Sequence, residues 1–429
     1  MDQTEALIIE TIDRHREEIL EFARDIYSHA ELGYKEFQTS GKFVKKMEQL
    51  GLRTEKGFAI TGVKAYLNED KKENASLALL GELDALRIPE HAFANPETNA
   101  AHCCGHHAQM AGVFGAALAL TVPEIAEKLD GQVVFFATPA EEYGEIEFKN
   151  QLREQGKIRY GGGKCELLRI GAFDDIDLCL THHIRPGNEI LVGSGTGNGF
   201  VSKVIRVLGK ASHAAGAPEK GVNALSAASL GLQALGLNRE TFRDEDSVRV
   251  HPIITKGGNL VNVIPDEVVV ETLVRGKTIE AFTDAAKKTD RSFKAGAIAM
   301  GAKVEISTLP GYLPTLAEEA LPELKHAAEI SASGIPVIEA SGHAGGSTDV
   351  GDVQHLMPVY TFNTGGVKGG LHQIDFEVTD EEEAYIVTAK MFALAAYGLL
   401  KEKAQRSREL VDQYEPVFKN SAEYVEFME

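Results

Sequence analysis

Short apolar runs that stop abruptly in acids or histidines constrain this chain more than any other feature. Leu77 to Leu80 and Gly131 to Ala137 read as strands of the kind buried on both faces of a parallel sheet, and Ile176 to Leu180 reads as a third. The first runs into Gly81-Glu82-Leu83-Asp84, the second into Thr138-Pro139-Ala140-Glu141-Glu142, and the third into Thr181-His182-His183. Open α/β sheets carry their chemistry at the carboxyl ends of such strands. Between the first two stands Cys103-Cys104-Gly105-His106-His107, which opens an Ala- and Gly-rich helix over about 106–121. Thiolate and neutral imidazole are the donors that bind zinc and its neighbours best. Two adjacent glutamates after a buried strand are costly to desolvate unless a cation sits beside them. Segments of this composition gathered on one edge predict a metal site.

The remaining periodicities fill in a layered architecture. Residues 4–27 read as one amphipathic helix, 39–50 as a second ending at Gly51, and 222–236 and 279–300 as helices flanking strands at Val201–Leu208 and Val268–Val274. With a further strand at Val304–Ser307, these make a compact α+β insert. Helices resume at 316–332, and Thr379-Asp380-Glu381-Glu382 reads as a capping box opening a helix to about 403. The expected fold is α/β, a mixed and mainly parallel sheet flanked by helices. The expected domains are a catalytic part over 1–194, an inserted domain over 195–308 and a second catalytic part over 309–429.

A formal charge of −20 excludes a large nucleic-acid footprint, which needs a basic face. No apolar run approaches the roughly 20 residues that span a bilayer, so no membrane partner is expected. Cys103, Cys104, Cys165 and Cys179 do not make a disulfide framework, and a reducing cytoplasm is the expected compartment.

The ordered succession GELDAL, CGH, PAEE, a strand-end His, GKASHAA, NVIPD and a late loop His resembles the aminoacylase/carboxypeptidase family of dinuclear metallopeptidases. Within it the chain is most similar to the amidohydrolase branch, which includes auxin-conjugate hydrolases and p-aminobenzoyl-glutamate hydrolases. The resemblance implies two divalent metal ions, zinc or manganese, on Cys104, His106, Glu142, His183 and His372. It implies Glu141 as general base and Asp84 as an orienting carboxylate. In the insert it implies substrate contacts from His213, Asn262 and Arg275, and an insert that dimerises, with His213 reaching the partner's active site. His107 departs from the Asp or Asn usual at that position, and the segment 145–160 is an insertion relative to shorter members, expected to shape the pocket rim. Cys103 beside Cys104 and His182 beside His183 leave the donor register open.

Amide hydrolysis is slow because water is a poor nucleophile and the amine a poor leaving group, and metal ions answer the first difficulty. Glu141 answers the second by carrying a proton to the departing nitrogen. An extended backbone would turn Glu142 to the opposite side, toward the metals. Arg275 offers a planar fork and Asn262 an amide donor for a free α-carboxylate. The substrates expected are therefore N-acyl, aroyl or peptidyl amino acids. The alternatives are a dipeptidase or carboxypeptidase acting on true peptides, or a catalytically silent binding protein on the same fold. His343 and His355 fall in no matched motif and are expected to pack rather than to bind.

Overall fold

The computed structural model describes residues 1–429, which divide into two compact units. The first comprises Met1–Gly195, Leu316–Gly342 and Asp352–Glu429, and the second Thr196–Thr315 with His343–Gly351. The second unit therefore runs past residue 308 and takes in a short later segment that the sequence pattern assigns to the first.

In chain order the principal strands are β1 (Arg53–Phe58), β2 (Gly62–Leu67), β3 (Ser76–Glu82), β4 (Gln132–Thr138), β5 (Leu178–Ile184) and β6 (Ile190–Val192). The second unit supplies β7 (Gly199–Leu208), β8 (Arg249–Val250), β9 (Ile253–Lys256), β10 (Glu267–Gly276) and β11 (Lys303–Pro310). The first unit then adds β12 (Val337–Glu339) and β13 (Val359–Thr364). The principal helices are α1 (Gln3–Arg14), α2 (Arg16–Ser28), α3 (Phe37–Gln49), α4 (His106–Leu120), α5 (Ile146–Glu154) and α6 (Gly163–Arg169). After them come α7 (Ala224–Asn238), α8 (Ile279–Met300), α9 (Pro322–Ser331), α10 (Thr388–Gln413) and α11 (Ser421–Met428).

The first unit is built on an eight-stranded sheet in the order β1-β2-β4-β3-β5-β13-β6-β12. Its centre, β4-β3-β5-β13, is parallel, as the apolar runs predict, and antiparallel pairings lie outside it. Every residue of β3 and β4 is buried. So is every residue of α4, an apolar helix with no solvent face. It meets α10 closely because Gly112 and Gly115 carry no side chain; a Cβ on either would come within 2.5 Å of Thr388 or Ala389.

Four helix expectations need correction, the simplest being the one over 316–332, which is helical only over Pro322–Ser331 because Pro322 takes the first turn. The predicted helix over 4–27 is two, because the backbone leaves helical geometry at His15; Ile8 and Ile12 on α1 and Ile19, Ala23 and Ile26 on α2 all still reach the core. The late helix begins with π-turns over Glu382–Val387, and Asp380, not Thr379, caps it by accepting from the Glu382 and Glu383 amides. It also continues past residue 403 to Gln413, with non-helical backbone from Lys401 to Ala404. Within Glu382–Gln413 lies an 18-residue window apolar enough to cross a membrane, and 89% of that window is buried inside this unit.

The second unit is a five-stranded antiparallel sheet, with β8-β10-β7-β11 in order and β9 also paired to β10, covered by α7 and α8. Alternate residues of β10 are buried, the period-2 pattern of a sheet with one face on a core.

Candidate metal centre

The donors converge through local backbone chemistry. Gly105 lies between Cys104 and His106 at φ 84°, and a Cβ there would stand 2.0 Å from Ile184, so only glycine makes this turn. The turn delivers Cys104 from a loop and His106 from the first residue of α4, rather than from a strand end. His183 comes from β5, Glu141 and Glu142 from the loop after β4, and His372 from a late loop where its own φ is 63°.

Cys104 Sγ lies 3.3 Å from His183 Nε2 and 3.2 Å from His372 Nε2, while His372 Nε2 lies 3.1 Å from Glu142 Oε1. Cys104 with His106 and His183 forms one tight triad of donors, and Cys104 with Glu142 and His372 forms a second. All five expected ligands are therefore together, with Cys104 common to both groups.

Neighbours set the tautomers. His106 Nδ1 donates to the Asp84 carbonyl at 2.8 Å, and His183 Nδ1 donates to the Ile184 carbonyl at 2.7 Å. Each ring then presents the lone pair of Nε2 to the cluster, the arrangement that metal-binding histidines adopt. His106 Nε2 and Glu142 Oε1 are buried atoms without an aligned hydrogen-bond partner, although Glu82 and His372 lie near them. Burial opposes a proton on His106, but Glu82 and then Cys104 raise it well above the usual histidine range. Burial, and then Glu142, push the Cys104 thiol up as well. Unpaired donors and crowded anions both call for positive charge here, so the residues fit a pair of divalent cations.

The doubled donors resolve cleanly. His182 points to the other side of β5, where Nε2 meets Thr364 Oγ1 at 2.7 Å and the ring packs on Phe362 and Phe392. Cys103 is fully buried in the core. His107 Nε2 bonds the Tyr385 hydroxyl at 3.1 Å, and its ring packs against Tyr27.

The two glutamates do not alternate as an extended segment would. Ala140 adopts φ 49°, and the Asp84 carboxylate accepts from both following amides, Glu141 N at 3.0 Å and Glu142 N at 2.9 Å. Both carboxylates in consequence reach the same group with His106, and Glu141 Oε2 lies 3.9 Å from His106 Nε2. Lys149 on α5 donates to the Glu142 carbonyl at 2.6 Å, so the 145–160 segment anchors this loop from behind.

Four supporting residues, Glu82, Gln109, Lys164 and Glu36, were not among the expected site residues. Glu82 accepts from Lys164 Nζ at 2.6 Å and from Gln109 Nε2 at 2.9 Å, all three being buried. Against its burial, Lys164 and then His106 hold the Glu82 carboxyl below the usual range. Glu36, fully buried, accepts from Ala140 N at 2.8 Å and from Thr61 Oγ1 at 2.7 Å. Burial, and then the Asp84 carboxylate, push Glu36 upward. The signals available were the place of Glu82 at the end of a buried strand and a lysine directly after the Gly161-Gly162-Gly163 run.

In the second unit, Arg275 donates to Ser347 Oγ at 2.9 Å and stacks 5.4 Å above the Phe200 ring. His213 is exposed, and its Nδ1 accepts from the Ala215 and Gly216 amides at 3.2 and 2.9 Å, which leaves the proton on Nε2. Asn262 is exposed, and its main-chain carbonyl accepts from Ala214 N at 3.0 Å. His343 uses both ring nitrogens on Thr196 and Asn198, and the His355 ring packs on Phe418.

A family model described as peptidase family M20/M25/M40 matches residues 78–397. The Xaa-Arg dipeptidase of Mus musculus is 27% identical over 408 residues, which are 92% of this chain and 85% of that protein. An IAA-amino acid hydrolase of Arabidopsis thaliana is 30% identical over 272 residues, 62% of this chain and 56% of that protein. Among solved structures, a dinuclear metal-binding peptidase of the M20 family from Bacillus subtilis superposes with a TM-score of 0.63 at 24% identity, covering 90% of this chain and 99% of that one. This chain belongs to peptidase family M20/M25/M40.

Proposed function

We propose that this chain is a metal-dependent amidohydrolase that releases an amino acid from an N-acyl, aroyl or peptidyl conjugate. The observation that carries the proposal is the pair of donor triads sharing Cys104, with Glu141 beside them. Cys104, His106, Glu142, His183 and His372 would hold two divalent ions, zinc or manganese. When bound, the ions supply a hydrolytic nucleophile near neutral pH and polarise the scissile carbonyl.

The protein's own groups do the rest. Glu141 accepts a proton as the nucleophile forms and returns it to the departing nitrogen, so one carboxylate serves as base and then acid. Asp84 holds the amides of both glutamates, which keeps Glu141 in register through the two transfers. Arg275 and Asn262 bind the substrate's free carboxylate. His213, with its proton on Nε2, donates to the developing oxyanion in the partner subunit of a homodimer. The compartment we assign is the cytoplasm.

A true dipeptidase is the second reading, favoured by the likeness to the mouse Xaa-Arg dipeptidase over 92% of the chain. A silent binding protein is disfavoured because Glu141 and the five donors are all present and gathered.

The test is metal analysis with a substrate panel of N-acetyl amino acids, p-aminobenzoyl-glutamate and Xaa-Arg dipeptides. Chelation should abolish turnover and re-added metal restore it, and Cys104→Ser should weaken metal retention. Glu141→Gln should lose at least the roughly 10² to 10⁴ of general acid–base catalysis with metal still bound. Full activity after exhaustive chelation, or near-normal turnover by Glu141→Gln, would sink the proposal.

A further inference from the structure

The loop that carries Glu141 and Glu142 makes a turn unfavourable to its own residues. Ala140 is a non-glycine residue in the left-handed region, at φ 49°. Such a conformation is disfavoured for a residue with a side chain and persists only where surrounding structure over-determines it. Here the fixing groups can be named one by one. Ala140 N donates to Glu36 Oε1 at 2.8 Å, and Ala140 O accepts from Gly163 N at 3.0 Å. The next two amides, of Glu141 and Glu142, both go to Asp84. Four backbone groups of three consecutive residues are thus held by two buried carboxylates and one glycine amide. Glu36 is held in turn from its other oxygen by Thr61 Oγ1 at 2.7 Å, and it has no solvent exposure.

Asp84 grips the turn from the side of the cluster, and Glu36 grips it from the opposite end. Without Glu36 the Ala140 amide would be buried and unpaired, and the left-handed turn would lose the partner on its first N–H. The inexpensive relaxation is rotation of Ala140 toward negative φ, which swings the following peptide and the Glu141 carboxylate with it. We infer that Glu36, anchored by Thr61, is a positioning residue that sets the aim of Glu141 by holding the Ala140 amide. The inference rests on the proposed role of Glu141 as general base. What Glu36 supplies is one acceptor oxygen, so a neutral amide in its place serves as well.

The experiment compares Glu36→Gln, Glu36→Leu, Glu141→Gln and the double variant Glu36→Leu/Glu141→Gln as metal-loaded holoenzymes. The readouts are kcat and KM on p-aminobenzoyl-glutamate, or on the N-acetyl amino acid or Xaa-Arg dipeptide that the wild type turns over, together with bound metal. Amide hydrogen exchange of the peptide spanning 139–142 needs no turnover. Glu36→Leu should lower kcat by about 10- to 100-fold, the scale set by a misplaced catalytic group, with KM within about threefold and metal content unchanged. Exchange at Ala140 should rise by at least about tenfold. Glu36→Gln should stay within about threefold of wild type in both readouts. In the Glu141→Gln background Glu36→Leu should cost nothing further, because it acts through Glu141. Where Glu36→Leu fails to fold, Thr61→Val takes its place, with a smaller loss of about 3- to 10-fold in kcat and the same non-additivity.

Wild-type kcat and exchange in folded Glu36→Leu would overturn the inference. So would a Glu36→Gln variant as impaired as Glu36→Leu, an equal loss with and without Glu141, or no effect of Thr61→Val where that variant stands in. An active Glu141→Gln would instead remove the base assignment, while raised exchange at Ala140 would still report the grip of Glu36 on the turn.

Discussion

Replacing Lys164 by methionine removes the cation from a carboxylate that has no access to water. Glu82 and Lys164 are 3% and 0% exposed, and their contact is 2.6 Å. Breaking a buried pair from one side costs about 3–5 kcal/mol, because the partner charge is left uncompensated. Gln109 remains as a donor to Glu82 Oε2 and blunts part of that cost, so the lower end of the range is expected for Lys164→Met. Glu82→Gln/Lys164→Met removes both charges and should cost about 1–3 kcal/mol less than the two single variants summed. The pair also has a pH signature. Lys164 and His106 keep the Glu82 carboxyl below its ordinary 4.5, so its stabilisation is present above that pH and is lost as pH falls through the depressed native value. Lys164→Met should therefore flatten the acid side of the stability profile. The assay is urea unfolding by circular dichroism at pH 7 and at steps down to pH 3, with metal concentration held constant. A Lys164→Met variant within about 0.5 kcal/mol of wild type, the range of an ordinary surface substitution, would refute the reasoning. So would single-variant losses that simply add.

Glu318 makes the opposite prediction: burial raises it to about 8, so its contribution to stability should fall as pH rises from 4.5 to about 8, and Glu318→Gln should make the wild-type decline shallower, leaving the part that the raised Glu36 contributes. The ceiling on the effect is about 5 kcal/mol, at about 1.4 kcal/mol for each pH unit crossed, read by thermal or urea unfolding over that window. Gly163→Ala would place a Cβ 1.6 Å from the Pro139 carbonyl oxygen, which must displace the loop before Glu141. A loss of about 1–3 kcal/mol is expected from overpacking, with a fall in kcat, and a variant kinetically and thermally equal to wild type would contradict it. His213→Ala should lower turnover with metal content intact, on the roughly 10² to 10³ scale of a lost oxyanion donor. Mixing it with Glu141→Gln subunits should restore part of the activity, and no recovery in confirmed mixed dimers would count against a shared site.

Composition and order alone determined the parallel core and the kinds of residue that gather at its edge. A strand buried on both faces must be apolar along its length, so β3 and β4 stand out in a linear string, and polar residues at their ends have few structural reasons to be there. Glu142 and His183 stood out for that reason, as an acid and a histidine just past buried strands, while Cys104, His106 and His372 were singled out as expected ligands by the resemblance to a known family. The donor register was not legible, since Cys103 and Cys104, or His182 and His183, are equivalent in a string. Only the strand's alternation and the Gly105 turn decide which of each pair faces the cluster. The aim of Glu141 and Glu142 lay further out of reach, because an extended segment predicts opposite faces and the observed turn depends on Ala140 at φ 49°. That conformation has no local cause. It is imposed by Glu36, Asp84 and Gly163, which stand 104, 56 and 23 positions away from Ala140 along the chain and meet at one loop only after the sheet has formed. Residue type is written locally; which buried charge answers which is settled by tertiary packing, because a desolvated carboxylate must find its donors wherever the fold brings them.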